Sequence, residues 1–173
     1  MTAVARHLIT SALAASAIVV SLGAAAQRTA SSEDMSPYLP PGAGRELVLP
    51  ACGGCHELTG TLRLRQSETA WETMILDMGA RGAPIAIDDV TPLAKYLASA
   101  FGPKAPPLTD VSAATREELL KLPGMTDAAA DRLIAERAKA TLTSHDQVRT
   151  AIGLDAQAFE KIKYYLYVKP VRR

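Results

Sequence analysis

A chain of 173 residues with a formal net charge of +1 has no general electrostatic bias toward nucleic acid or acidic partners. Once an N-terminal leader is set aside, roughly 150 residues remain, which suits one medium domain or two small ones, and the punctuation along the chain favours two. Aromatic residues are only 5% of the sequence, so a cofactor would be a useful core element.

The chain begins with a short basic head, Arg6 and His7, followed by an uncharged stretch from Leu8 to Ala25 rich in Ala, Leu and Val. Ala24-Ala25-Ala26 ends it as an A-x-A cleavage site before Gln27, which is the pattern of a signal peptide over residues 1–26. This predicts an exported, periplasmic protein. The stretch is also just long enough to span a bilayer, at roughly 18 to 20 residues, so a retained N-terminal anchor is the alternative. Its Ala content and small-residue end favour cleavage. No other stretch approaches a transmembrane length. Residues 27–43, with Ser36-Pro37-Tyr38-Leu39-Pro40-Pro41-Gly42, read as a flexible tail.

A first domain is expected over residues 44–102. It opens with a short helix from Gly44 into Cys52-Gly53-Gly54-Cys55-His56, and Cys-x-x-Cys-His is the attachment signature of a c-type haem. Two thiols at this spacing can each add to one vinyl group of a single haem, and the next residue supplies the proximal imidazole. Gly at both intervening positions lets the backbone bend around the porphyrin edge. A redox dithiol would want a βαβ pattern around the pair, and a zinc site would want a second ligand pair. The sequence offers neither: no other cysteine exists, His7 lies in the leader, and only His145 adds an imidazole. Covalent haem attachment belongs to an oxidising space outside the cytoplasm, in agreement with the leader.

After a polar loop through Arg65, a helix is predicted over about Glu68 to Gly79, following Ser67. Thr69 and Glu72 stand at capping-box spacing, and Trp71, Met74, Ile75 and Met78 form its apolar stripe. Arg81-Gly82-Ala83-Pro84 makes a turn. The next helix begins near Asp88 or Asp89 and carries Val90, Leu93, Leu97 and Phe101 on one face. A low-spin electron carrier needs a second axial ligand, and a Met thioether opposite His raises the reduction potential. Met35 falls in the tail and Met125 in the second domain, which leaves Met74 and Met78, either of which can equally be core filler.

These residues together resemble small class I c-type cytochrome domains, especially those that accompany periplasmic dehydrogenases of the sulfite-oxidising and quinoprotein kind. The resemblance covers about a third of the chain and rests on Cys52, Cys55, His56, Trp71, Met78 ahead of Arg81-Gly82-Ala83-Pro84, Tyr96-Leu97 and Phe101-Gly102-Pro103. It implies that Met78 is the distal ligand, with Met74 as the alternative, that Trp71 packs near the haem, and that the Tyr96-Leu97 helix crosses the N-terminal helix around Leu47. A six-coordinate haem moves single electrons and has no open position for substrate, so the chain is expected to be an electron carrier and not an enzyme acting alone. Its partner would be a redox protein, with a periplasmic dehydrogenase as one such partner. An open position would suggest gas sensing or peroxidase chemistry, but no distal His or Arg pair is identifiable near Met78, where only Arg81 stands.

Residues 103–108, in Gly102-Pro103-Lys104-Ala105-Pro106-Pro107, read as a Pro-rich, semi-rigid linker. Beyond it, over residues 109–173, Val111 to Leu119 and then Leu122-Pro123-Gly124-Met125 predict a helix, a tight turn and another helix carrying Ala130, Ile134 and Arg137. Thr115 and Glu118 stand at capping-box spacing. A weaker copy follows in Val148, Ile152-Gly153-Leu154, Phe159 and Ile162. This resembles the duplicated helix-hairpin-helix of competence-type DNA receptors, and also the extrinsic photosystem II subunit on the same fold, which binds protein. The whole chain is thus expected to be all-α, a small cytochrome c fold followed by a duplicated helix-hairpin-helix domain.

DNA-binding hairpins cradle a phosphate on glycine-rich turns at a helix N-terminus. Here Thr126 replaces the second Gly of the first hairpin, Asp155 places a negative charge in the second, and Ser112 replaces Asn. From Thr109 to Arg173, Lys and Arg outnumber Asp and Glu only 11 to 9. Lys161, Lys163, Lys169, Arg172 and Arg173 cluster near the end, which a solvated face explains as well as a DNA site does. Protein docking is therefore the expectation, and a periplasmic DNA-binding protein with an accessory haem is the alternative.

Overall fold

A computed structural model describes residues 34–169. Residues 1–26, expected as a signal peptide, residues 27–33, and the C-terminal Arg172 and Arg173 lie outside the described residues. The described chain is mostly helical. A 3-10 turn at Ser36–Tyr38 precedes α1 (Arg45–Cys52), α2 (Thr59–Leu62), α3 (Glu68–Ala80) and α4 (Ile87–Phe101). Then follow β1 (Thr109–Asp110), α5 (Arg116–Leu119), α6 (Asp127–Lys139), α7 (His145–Ile152), α8 (Ala156–Ile162), a second 3-10 turn at Lys163–Tyr165, and β2 (Leu166–Tyr167). The two short strands pair in parallel, Thr109 with Leu166 and Asp110 with Tyr167.

Local chemistry explains where the helices start. Ser67 holds an extended backbone and its Oγ accepts from the Ala70 N–H at 3.3 Å, so it caps α3. The capping box expected at Thr69 and Glu72 does not form: Thr69 lies inside the helix, and the Glu72 carboxylate accepts from Thr91 of α4 at 3.3 Å. Thr115 and Glu118 do form theirs, at 3.2 and 2.7 Å. α4 begins one residue ahead of Asp88 and Asp89, which then sit in its first turn, where the helix dipole favours negative charge.

Two clusters of buried side chains follow one another along the chain. The first joins Val48, Leu62, Trp71, Ile75, Leu93, Leu97 and Phe101, with α3 packed along α4. The second joins Leu119, Leu122, Leu133, Val148, Ile152, Phe159 and Ile162. Within the second, α5 turns into α6 through Gly124 at φ +78°, and α7 into α8 through Gly153 at φ +67°, both in the left-handed region glycine favours.

The tail expected over 27–43 is corrected from Asp34 onward. Met35, Tyr38 and Leu39 are buried in the first core, with Met35 only 1% exposed. Prolines 37, 40 and 41 deprive this segment of backbone donors, and its carbonyls are taken up by side chains instead. Arg45 donates to Leu39 O at 2.9 Å and Ser36 O at 3.0 Å, while Tyr96 Oη donates to Pro40 O at 2.7 Å. The Pro-rich linker is held in the same way: Arg65 Nε donates to Ala105 O at 3.3 Å and Pro106 O at 3.0 Å, and Leu108 is buried. A Pro-rich segment that cannot continue as α-helix has still become a strap, because tertiary donors complete its hydrogen bonds.

Candidate functional site

α1 delivers the cysteine motif. The helix ends at Cys52, and the Gly53 N–H closes back on Leu49 O at 2.9 Å. A Cβ on Gly53 would lie 2.8 Å from that same carbonyl oxygen, so the turn is too tight there for a side chain, whereas a Cβ on Gly54 would meet nothing. Both cysteines are free thiols, Cys52 partly buried and Cys55 exposed. Burial pushes the Cys52 thiol above its usual range, the opposite of what a reactive redox dithiol requires.

His56 is exposed, and its Nδ1 lies 3.1 Å from Glu57 O. A carbonyl can only accept, so Nδ1 carries the proton, and in the neutral ring Nε2 is left with a free lone pair suited to a metal.

These three residues line one wall of a cleft of about 1080 Å³. α3 supplies Trp71, Met74, Ile75 and Met78, α4 supplies Leu97, and the turn after α3 supplies Arg81, Ala83 and Ile85. Every site residue expected from the sequence therefore borders one cavity. The two methionines differ in setting: Met74 packs against the first core, while Met78 is half-buried and stands outside that cluster. Arg81 is occupied by an exposed pair with Asp77 at 2.9 Å.

Two features escape sequence reasoning. The stretch expected as a polar loop contains α2, which buries Leu62 and brings Thr61 and Leu64 to the cleft; Leu58 and Leu62, one helical turn apart, were its signal. Met35, expected in the tail, reaches the far side of His56. There it lines a separate cavity of about 390 Å³ with Asp34 and Leu58, and its sulfur accepts from Thr59 Oγ1 at 3.9 Å.

A haem suits this cleft on the chemistry of its donors and on one orphaned atom. Two thiols and an imidazole stand on one wall, thioethers on another, and apolar residues lie between them. Trp71 is completely buried, yet its Nε1 has no hydrogen-bond partner. A bound group carrying an acceptor would satisfy it. Among the described residues no three His, Cys, Asp or Glu side chains gather into a metal-binding group, and no helix is long and apolar enough to cross a membrane.

In the second cluster the helix N-termini are closed by the chain itself. Asp155 Oδ1 accepts from the Ala158 N–H at 2.8 Å and Thr126 Oγ1 from the Ala129 N–H at 3.1 Å. Arg132 donates to Ile152 O at 3.1 and 2.6 Å and covers the Gly153 turn. Lys163 pairs with Glu160 at 2.7 Å and Lys169 with Asp110 at 3.1 Å. Compared with protein-family models, curated proteins and solved structures, the chain gives no match.

Proposed function

We propose that this chain is an exported monohaem c-type cytochrome that carries single electrons between periplasmic redox partners, with its C-terminal helical hairpins as a docking module. The observation that carries the reading is the convergence of Cys52, Cys55, His56, Met74 and Met78 on one cleft. Haem c, when bound, supplies a reversible one-electron couple at its iron.

The residues divide the work. Cys52 and Cys55 would tether the group through two thioether bonds, and His56, with Nδ1 at Glu57 O, would offer Nε2 to the iron. Met78 would supply the second iron ligand, because Met74 is engaged with the core and Met78 is not. Trp71, Ile75 and Leu97 keep water from the site and lower its dielectric, which tunes the potential.

For the C-terminal hairpins, protein docking is favoured over DNA by the capped helix ends. A phosphate seeking backbone N–H groups there meets the Asp155 carboxylate and the Thr126 hydroxyl already in place. The paired state of Lys163 and Lys169 weakens the basic patch further.

The test is an absorption spectrum, oxidised and reduced, of protein made in a periplasm with haem-attachment machinery. The expected result is a covalent low-spin haem with a Met-sulfur charge-transfer band. A colourless protein overturns the haem reading, and a high-spin one overturns Met ligation.

A further inference from the structure

A separate cavity of about 610 Å³ lies between the Ser36–Tyr38 turn and α1 on one side and α7 and α8 on the other. Arg45 lines it from the first half of the chain, and Arg149 and Lys163 from the second. Arg149 is half-buried, yet among the described residues it is the one arginine whose guanidinium has no partner. Every other described arginine is engaged: four donate to backbone carbonyls, Arg81 and Arg116 pair with aspartates, and Arg63 lies over the Tyr167 ring. A guanidinium committed to nothing can turn its donors to whatever occupies the cavity.

Arg45 adds a second uncompensated charge. Its Nε and Nη2 donate to Leu39 O and Ser36 O, which are neutral, and no carboxylate among the described residues pairs with it. Ser36 itself lines the cavity, so this guanidinium is fixed at the wall with its Nη1 donors uncommitted. The other polar groups there are accounted for. Lys163 is neutralised by Glu160 at 2.7 Å, and His145 Nε2–H donates to Leu166 O at 2.9 Å. Asp146 is exposed in the first turn of α7, where the helix dipole favours its charge. Two guanidiniums thus stand against one carboxylate.

The shape of the cavity narrows the ligand further. Its volume is that of a small-molecule site, larger than a lone inorganic anion fills, and Pro37 and the buried Phe159 ring give it apolar wall. A planar guanidinium matches a carboxylate with two parallel hydrogen bonds. We propose that this cavity binds a small aliphatic dicarboxylate, with one carboxylate on Arg45 and the other on Arg149. Such a ligand would tie α1 to α7 and so hold the two halves of the molecule together. The site is distinct from the cysteine-lined cleft and needs no cofactor.

The test is thermal unfolding of the purified full chain at constant ionic strength, with malonate, succinate and glutarate in turn and sodium chloride as the reference. At ten times its Kd, at least one of the three should raise the midpoint by about 3–6 °C, saturably. Arg149→Gln should weaken that binding by about 10- to 100-fold, the loss of a hydrogen bond to a charged group. Lys161→Gln removes an exposed cation of α8 that does not line the cavity and should leave binding unchanged. No rise beyond chloride with any of the three acids overturns the site. Equal weakening in both variants would mean that net charge alone attracts the anion, and overturns it too. Inorganic phosphate matching the best dicarboxylate overturns the assigned ligand class. None of these outcomes bears on the haem reading, which the absorption spectrum decides.

Discussion

Met74 and Met78 stand about one turn apart on α3 and border the same cleft, yet only Met74 is packed into the first core. A side chain in the core contributes through the contacts it fills, and one outside it is free to swing its sulfur toward a metal. Met78→Ala should therefore lose the sixth ligand, seen as a high-spin spectrum without the Met-sulfur band. Met74→Ala should keep the low-spin spectrum and lose about 1–2 kcal/mol of stability as a half-buried truncation. The reverse pattern would assign ligation to Met74. Spacing could not separate the two residues, because both lie on the stripe with Trp71 and Ile75. The resemblance pointed to Met78 through its place before the Gly-Ala-Pro turn, and the packing gives an independent physical reason.

At the scale of elements, the turn after α1 carries the sharpest steric demand. Gly53 has an ordinary φ of −78°, so its requirement is not torsional: the demand comes from Leu49 O, 2.8 Å from where a Cβ would stand. Gly53→Ala should cost about 1–3 kcal/mol, the range of overpacking, whereas Gly54→Ala should stay within about 0.5 kcal/mol. Denaturant unfolding of the two variants checks this, and equal costs would show that the turn relaxes freely. The motif spacing made both glycines look alike; only the fold tells them apart. The long helices were legible because α3 and α4 each present an apolar stripe of helical period, and the Thr115 and Glu118 box was legible because it is local. α2 left only the spacing of Leu58 and Leu62 as a signal, and the Ser36–Tyr38 turn left none. Their few residues hold their shape through Arg45, Tyr96 and the first core, and no local periodicity records such distant donors. Ser67 prevailed over Thr69 as the cap of α3 by satisfying the Ala70 N–H.

Across the whole molecule, the two buried clusters are joined by more than the linker. Tyr38 belongs to the first, and its hydroxyl donates to Val168 O at 3.0 Å and accepts from Val168 N at 3.2 Å. Its ring meets His145 of α7 at 5.2 Å and Tyr167 of β2 at 5.6 Å. The β1–β2 pairing adds a second seam, and Arg65 binds the linker against the first cluster while its guanidinium lies 5.8 Å from the Phe101 ring centre. An element that contributes to both cores makes the unfolding of one raise the free energy of the other, so heat should melt the protein in one transition. Tyr38→Phe keeps the ring contacts and removes only the hydroxyl, leaving the Val168 carbonyl and N–H buried without that partner. The expected outcome is a single transition at lower temperature, with a cost of about 1–3 kcal/mol, the penalty for stranding buried polar groups. A midpoint equal to wild type would mean that the strap does not hold the two halves together. Two separate transitions in the variant would place the coupling in that hydroxyl more strongly still, since the remaining seam at β1–β2 could then no longer join the clusters alone.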